Sequence, residues 1–333
     1  MDRRGFLKTA AVAAAGMMLG KRFSRGLSAL GQDAGESKGS GSIPTVYMTR
    51  DISPKSLTNI YRRLDREMRG KAAVKISTGE PGGHNYLSPA LIKELVQSLN
   101  GTIVEANTAY NGKRANTEDH LRAAREHGFL DVAPVDIMDA DGEIRLPVGG
   151  GTHLKEVRVG SHFSDYDSIL VLSHFKGHAM AGFGGALKNI AIGIASRSGK
   201  CLVHTAGNSE TNPFDGPEKQ DDFTESMAEA AEGMIRAMGS ENMAYINVMN
   251  RLSIDCDCAG NPSEPEIPDI GILASLDPVA VDKAGVDLIY TADEKKGAAF
   301  RRRIEAGRGT HILAHAEKLG IGCRRYHLAS LDG

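Results

Sequence analysis

The sequence predicts an α/β protein, a largely parallel sheet flanked by helices and arranged in two lobes. Short apolar runs alternate with longer amphipathic segments along most of the chain. Several runs, residues 169–172 among them, are continuously apolar, as strands covered on both faces are. Polar, Gly-rich loops follow these runs, where open α/β sheets bind their ligands.

At the N-terminus, Arg3-Arg4 followed by Phe6-Leu7-Lys8 is a twin-arginine pattern, and residues 9–20 form a mild apolar stretch too short to span a bilayer. The expectation is a signal peptide over 1–31, export to the periplasm or another extracytoplasmic space, and no stable membrane span once the signal is removed. The competing reading is a basic amphipathic N-terminus kept in the cytoplasm. Residues 32–43 are Gly/Ser-rich and read as a linker. One α/β domain is expected over 44–333, with a second lobe beginning near 216.

Within it, 54–69 has helical spacing and 72–76 reads as the first sheet strand. A Gly/Pro loop carrying His84 follows, and Ser88-Pro89 opens a helix over 90–99. Strand 102–106 ends in a polar loop containing Lys113 and Arg114, and Asn116 caps a helix bearing His120 and His127, both read as structural or solvated. Residues 131–165 read as short strands and turns, leaving His153 and His162 without a role. After 169–172, residues 189–195 read as a Gly-bearing helix or turn and 201–204 as a short strand. An amphipathic helix over 223–239 and a buried strand over 244–249 lead to Cys256-x-Cys258. Strand 270–274 precedes Asp277-Pro278, a cap and first-position proline for a helix to 288. His311 and His315 stand at i,i+4, a spacing that can clamp a metal, with no third ligand nearby in sequence.

Composition narrows the function. The 333 residues carry 40 Lys and Arg against 42 Asp and Glu, a formal charge of −2 with no bulk attraction for nucleic acid, and no Trp for stacking bases. Four cysteines, Cys201, Cys256, Cys258 and Cys323, are too few and too scattered for a disulfide framework. No Walker loop and no G-x-G-x-x-G follows a first strand, which argues against P-loop and ordinary dinucleotide chemistry.

The most informative stretch is residues 169–193. An apolar run ends in Ser173 and His174; His178, Gly182, Gly184, Gly185, Lys188 and Asn189 follow. Glycines admit a close ligand, and a lysine just beyond them holds an anion or bonds to a cofactor. Alone, either histidine reads as a packed core residue; two His, three Gly and a Lys at a strand end read as a site.

Ser173-His-Phe-Lys-Gly-His178 through Gly185-Ala-Leu-Lys-Asn189 resembles the signature of the domain-of-unknown-function 362 family, as does Asp269-Ile-Gly-Ile with Asp277-Pro-Val-Ala-Val-Asp282. More distantly, His178-x-x-x-Gly182-x-x-Gly185-x-x-Lys188 is similar to a segment of nickel-pincer lactate racemases, which implies a lactate-racemase-like fold. In that family the His is an acid/base and the Lys carries the cofactor. The resemblance implies those roles for His178 and Lys188 and, at sixteen positions further, a nickel ligand in His204. Gly182, Gly184, Gly185, His174 and Asn189 would line the cofactor, and Arg114 and His84 would bind a carboxylate substrate. Lys113 stands where the second catalytic His would fall; lysine is a poor base near neutral pH unless its pKa is depressed, which counts against racemisation.

Three readings follow. The first is an exported cofactor-dependent enzyme related to racemases or epimerases, acting on a small carboxylate or hydroxy acid. The second is a metal- or iron–sulfur-associated binding protein, with a possible redox partner, holding metal through Cys256, Cys258 and His174 or His178. One Cys-x-Cys pair lacks the four ligands of a structural zinc or cluster site, and free thiols or a strained disulfide stand beside this reading. The third is an anion-binding protein using the Gly-rich loop and Lys188.

Overall fold

The computed structural model describes residues 42–332, so the twin-arginine pattern and linker residues 32–41 lie outside it. The chain opens with Thr45–Thr49 (β1) and Pro54–Arg63 (α1), which Ser53 caps by accepting from Ser56 N. This helix stops short of the expected residue 69 because Asp65 takes a left-handed φ of 48°. Ala72–Lys75 (β2), Pro89–Ser98 (α2), Thr102–Glu105 (β3) and Thr117–Glu126 (α3) follow. Asn116 caps α3 by accepting from Asp119 N at 3.0 Å. Short strands then appear at Val135–Ile137 (β4), Glu143–Pro147 (β5) and Glu156–Gly160 (β6), before the long buried Ser168–His174 (β7).

The Gly-rich stretch folds as a hairpin, Lys176–His178 (β8) and Gly182–Gly184 (β9), running into the short helix Ala186–Ala191 (α4). Residues 201–204 are not a strand: they form the last turn of Arg197–His204 (α5). A four-residue apolar run does not distinguish strand from helix, and the Ser196 side chain, accepting from Gly199 N, starts a helical turn upstream. Gln220–Met238 (α6), Met243–Met249 (β10), Gly271–Ser275 (β11) and Pro278–Thr291 (α7) come next, Asp277 capping α7 through Val279 N and Ala280 N. Ala298–Ala306 (α8), His311–Lys318 (α9) and His327–Ser330 (β12) close the chain.

Eight strands form one sheet in the order β12-β1-β11-β10-β7-β2-β3-β4. Every pairing from β10 to β4 is parallel, and β11 alone runs against its neighbours. Residues beyond 216 supply β10 and β11 to this same sheet rather than a separate one, since β10 is hydrogen-bonded directly to β7. Strand alternation splits the core in two. Leu170 and Leu172 pack on the α1–α2 side, Ile169 and Val171 on the side of α4, α6 and α7. Among the described residues no helix is long and apolar enough to cross a membrane.

The chain order reverses between β2 and β7: β2 leads outward to β3 and β4, while β7 leads the other way to β10. Ligands bind at the carboxyl ends of strands beside such a switch point. Asn189 marks the place, its Nδ2 reaching Lys75 O at 3.2 Å on β2 and Ser173 Oγ at 3.0 Å on β7.

Candidate functional site

Above this crevice lies a cavity of about 210 Å³. Lys75 and Glu105 reach it from the ends of β2 and β3, Arg114 from the following loop, and Lys176 and His178 from β8. Gly185, Lys188 and Asn189 line it from the start of α4, Lys200 and His204 from α5, and Cys256 and Cys258 from the loop after β10. Pro213 and the exposed Phe214 form part of the rim.

The lining is cationic. Lys75 pairs with Glu105 at 2.8 Å, Arg114 with Glu105 at 3.3 Å and Glu80 at 3.1 Å, and Lys176 with Asp257 at 2.8 Å. Burial works to raise the Glu105 carboxyl, but Lys75, Arg114 and His120 hold it far below the ordinary range. Burial pushes the Lys200 amine down to about 8. Lys188 has no carboxylate partner among the described residues; its Nζ lies 3.8 Å from Cys256 Sγ.

Partners decide the histidine tautomers. Nδ1 of His178 accepts from Ala181 N at 3.0 Å and Met180 N at 3.3 Å; amides only donate, so the ring hydrogen sits on Nε2, next to Cys256. His204 is the reverse: its Nδ1 donates to Lys200 O at 2.6 Å, which leaves Nε2 as a bare lone pair. Burial, with the charges of His178, Lys188 and Lys200, pushes His204 down to about 4. Its ring stacks on Phe223 at 5.4 Å.

The two thiols act as a pair. A hydrogen bond from Cys258, together with Lys188 and His178, lowers Cys256 well below the ordinary thiol range, while Cys258 is raised. The negative charge of the pair is thus favoured on Cys256, with Cys258 as the donor to it. One nitrogen of His178 and both sulfurs lie within 4.8 Å of one another, close enough to share a metal ion.

The structure thus brings His178, Lys188, His204, Arg114, Asn189, Gly185, Cys256 and Cys258 to one cavity. His174 stands behind it, engaged at 2.8 Å by Asp257 and at 2.7 Å by Asn250 O. Gly182 and Gly184 lie in the hairpin opposite His178 and Lys176. Gly182 has a φ of +78°, and a Cβ there would sit 2.8 Å from Ile304 O, so its lack of a side chain serves the packing of α8. His84 is half-exposed and paired with Glu264, and the Lys113 side chain is exposed. Asp282 accepts from Ala186 N at 2.7 Å and Leu187 N at 2.9 Å, so the first amides of α4 are occupied by the protein itself. Lys75, Glu105, Lys176 and Lys200 escape a reading by sequence. The available signal was a charged residue inside or just after an apolar strand, as in Ala72-Ala-Val-Lys75.

The family model described as Domain of unknown function (DUF362) matches residues 72–287, well over half of the chain. The protein belongs to the DUF362 family. No curated protein matches this DUF362 chain. Among solved structures, it is similar to the lactate racemase apoprotein from Thermoanaerobacterium thermosaccharolyticum at 16% identity and a TM-score of 0.42, over 74% of this chain and 56% of that one. It is also similar to a structural-genomics protein from Thermotoga maritima at 13% identity and a TM-score of 0.41, over 78% and 59% of the two chains. This DUF362 protein therefore spans less than two thirds of the length of either structure.

Proposed function

We propose that the cavity is the site of metal- or cofactor-dependent chemistry on a small carboxylate-bearing substrate of the 2-hydroxy-acid class, in a protein exported by the twin-arginine route. The pair of imidazole tautomers carries this reading. The unprotonated Nε2 of His204, with Nδ1 anchored on a backbone carbonyl, is the state in which imidazole ligates a metal. The Nε2–H of His178 is a hydrogen-bond donor in the same cavity; with Nδ1 held by two amides, this ring orients a substrate oxygen.

The donor set fits a nickel-pincer-type group: Lys188 offers an amine for attachment, and His204 offers a ligand in the same cavity. When bound, such a group supplies a hydride acceptor. The chain's own residues supply the rest. Arg114 and Lys176 attract the substrate carboxylate into the cavity, and the Nε2–H of His178 donates to a substrate oxygen. A reaction that inverts a centre needs a base on each face; Lys200, at about 8, lines the cavity where the exposed Lys113 does not.

A second reading rests on the convergence of His178, Cys256 and Cys258 within 4.8 Å, which suits a protein that binds a soft metal or serves an iron–sulfur partner without racemase activity. It requires His178 to surrender its Nε2 hydrogen or the two amide bonds to Nδ1, which favours the first reading. Protein purified from its exported state separates them by its bound metals and by the mass of the Lys188 peptide. Nickel with added mass on Lys188, both lost in Lys188→Arg, is the expected result. An unmodified Lys188, with metal shielding Cys256 and Cys258 from alkylation, overturns it in favour of the second.

A further inference from the structure

Away from the cavity, three segments distant in sequence meet around one carboxylate. Glu225 on α6 accepts from His153 Nε2 at 2.8 Å on one oxygen and from His311 Nε2 at 2.9 Å on the other. Asp222, one turn earlier, lies within the same small space: its carboxylate, that of Glu225 and a nitrogen of His153 are all within 4.8 Å of one another. His315, one turn along α9, faces Glu225 at 3.7 Å and Glu229 at 3.3 Å.

From this arrangement we infer a divalent-metal site of the zinc type, with His153, Asp222 and Glu225 as ligands and His311 orienting the Glu225 carboxylate from its other oxygen. One imidazole and two carboxylates are a borderline-hard N/O set, and three protein ligands leave the fourth zinc position for water. The site is held from outside. The buried Glu229 carboxylate accepts from Thr152 N at 2.7 Å, His153 N at 3.0 Å and Leu154 N at 2.7 Å, which seats the His153 loop on α6. Metal binding asks His153 only to move its ring hydrogen from Nε2 to Nδ1. His153 Nδ1 has no hydrogen-bond partner among the described residues, so the hydrogen displaces no other bond there. The ion replaces the His153 N–H as the group that joins this ring to Glu225, while His311 keeps its bond to the other oxygen. It clamps the β5–β6 connection onto the first turns of α6, and Phe223 in those turns supports the His204 ring.

The test is calorimetric titration of the full chain with Zn2+ on a Cys256→Ser/Cys258→Ser background, so that the cavity's paired thiols take no part. One ion per chain is expected, bound about 100-fold more weakly or worse in His153→Ala/His311→Ala, with the thermal midpoint of the His-intact protein raised by a few degrees. Cobalt(II) in its place should show d–d bands. No stoichiometric binding on that background, or binding unaffected by the double substitution, would overturn the site and leave an ion-pair network only. If the double variant does not fold, Glu225→Gln is titrated instead, and an unchanged affinity there is equally fatal.

Discussion

Asp257 lies between His174 and Lys176, 2.8 Å from each and closed off from solvent. Burial alone would raise its carboxyl; Lys176 and His174 instead hold it at about 2, against an ordinary 3.8. Because the folded value is the lower one, the stability it contributes is complete above the ordinary value and is lost as pH falls through about 2. The shift corresponds to about 2 kcal/mol. Asp257→Asn should cost at least that at neutral pH, and the difference from the parent protein should shrink on acidification; urea melts across the acid range read it. A deficit that stays constant with pH would show that the carboxylate's charge is not what matters. At this scale the sequence exposes residues whose neighbours are informative. His178 and Lys188 stand among glycines at a strand end and are legible. Lys200 is not, because a lysine in a short helix reads as solvated until packing shows it buried.

At the scale of elements, the β8–β9 hairpin and the cysteine loop are held together by close backbone approach. A Cβ on Gly177 would meet Ile254 O at 2.2 Å, and Gly177 N already donates to Ser253 O at 2.8 Å. Gly177→Ala must therefore push the loop carrying Cys256 away from His178. Overpacking of this kind costs about 1–3 kcal/mol. The expected result is a lower unfolding midpoint together with an altered alkylation rate at Cys256, measured by peptide mass; a normal rate would mean that the loop does not depend on this contact. Elements whose ends carry explicit chemistry were readable, as with Asn116 for α3 and Asp277-Pro278 for α7. Residues 201–204 were misread because a short apolar run lacks a period, and only the Ser196 cap upstream distinguishes helix from strand.

For the whole molecule, Asn189 is the joint between the two directions in which the sheet is wound. Truncating it leaves Lys75 O and Ser173 Oγ without their shared donor inside the core. An unsatisfied buried polar group costs about 1–3 kcal/mol. Asn189→Ala should lose about 2 kcal/mol or more in equilibrium unfolding; a neutral effect would refute its role as the joint. The α/β class and the loops that carry chemistry were determined by the sequence itself, because strand burial, capping and turn geometry are local properties. It also singled out residues 173–189 as a candidate site, because those residue types cluster just after a strand end. Only the tertiary structure decided that Cys256 and Cys258 meet His178 and that Lys200 and Glu105 share the cavity. It alone brought His153 to Glu225 and His311. Those meetings depend on strand order and on how helices lie across the sheet, and periodicity along the chain encodes which face a residue takes but not what stands opposite it.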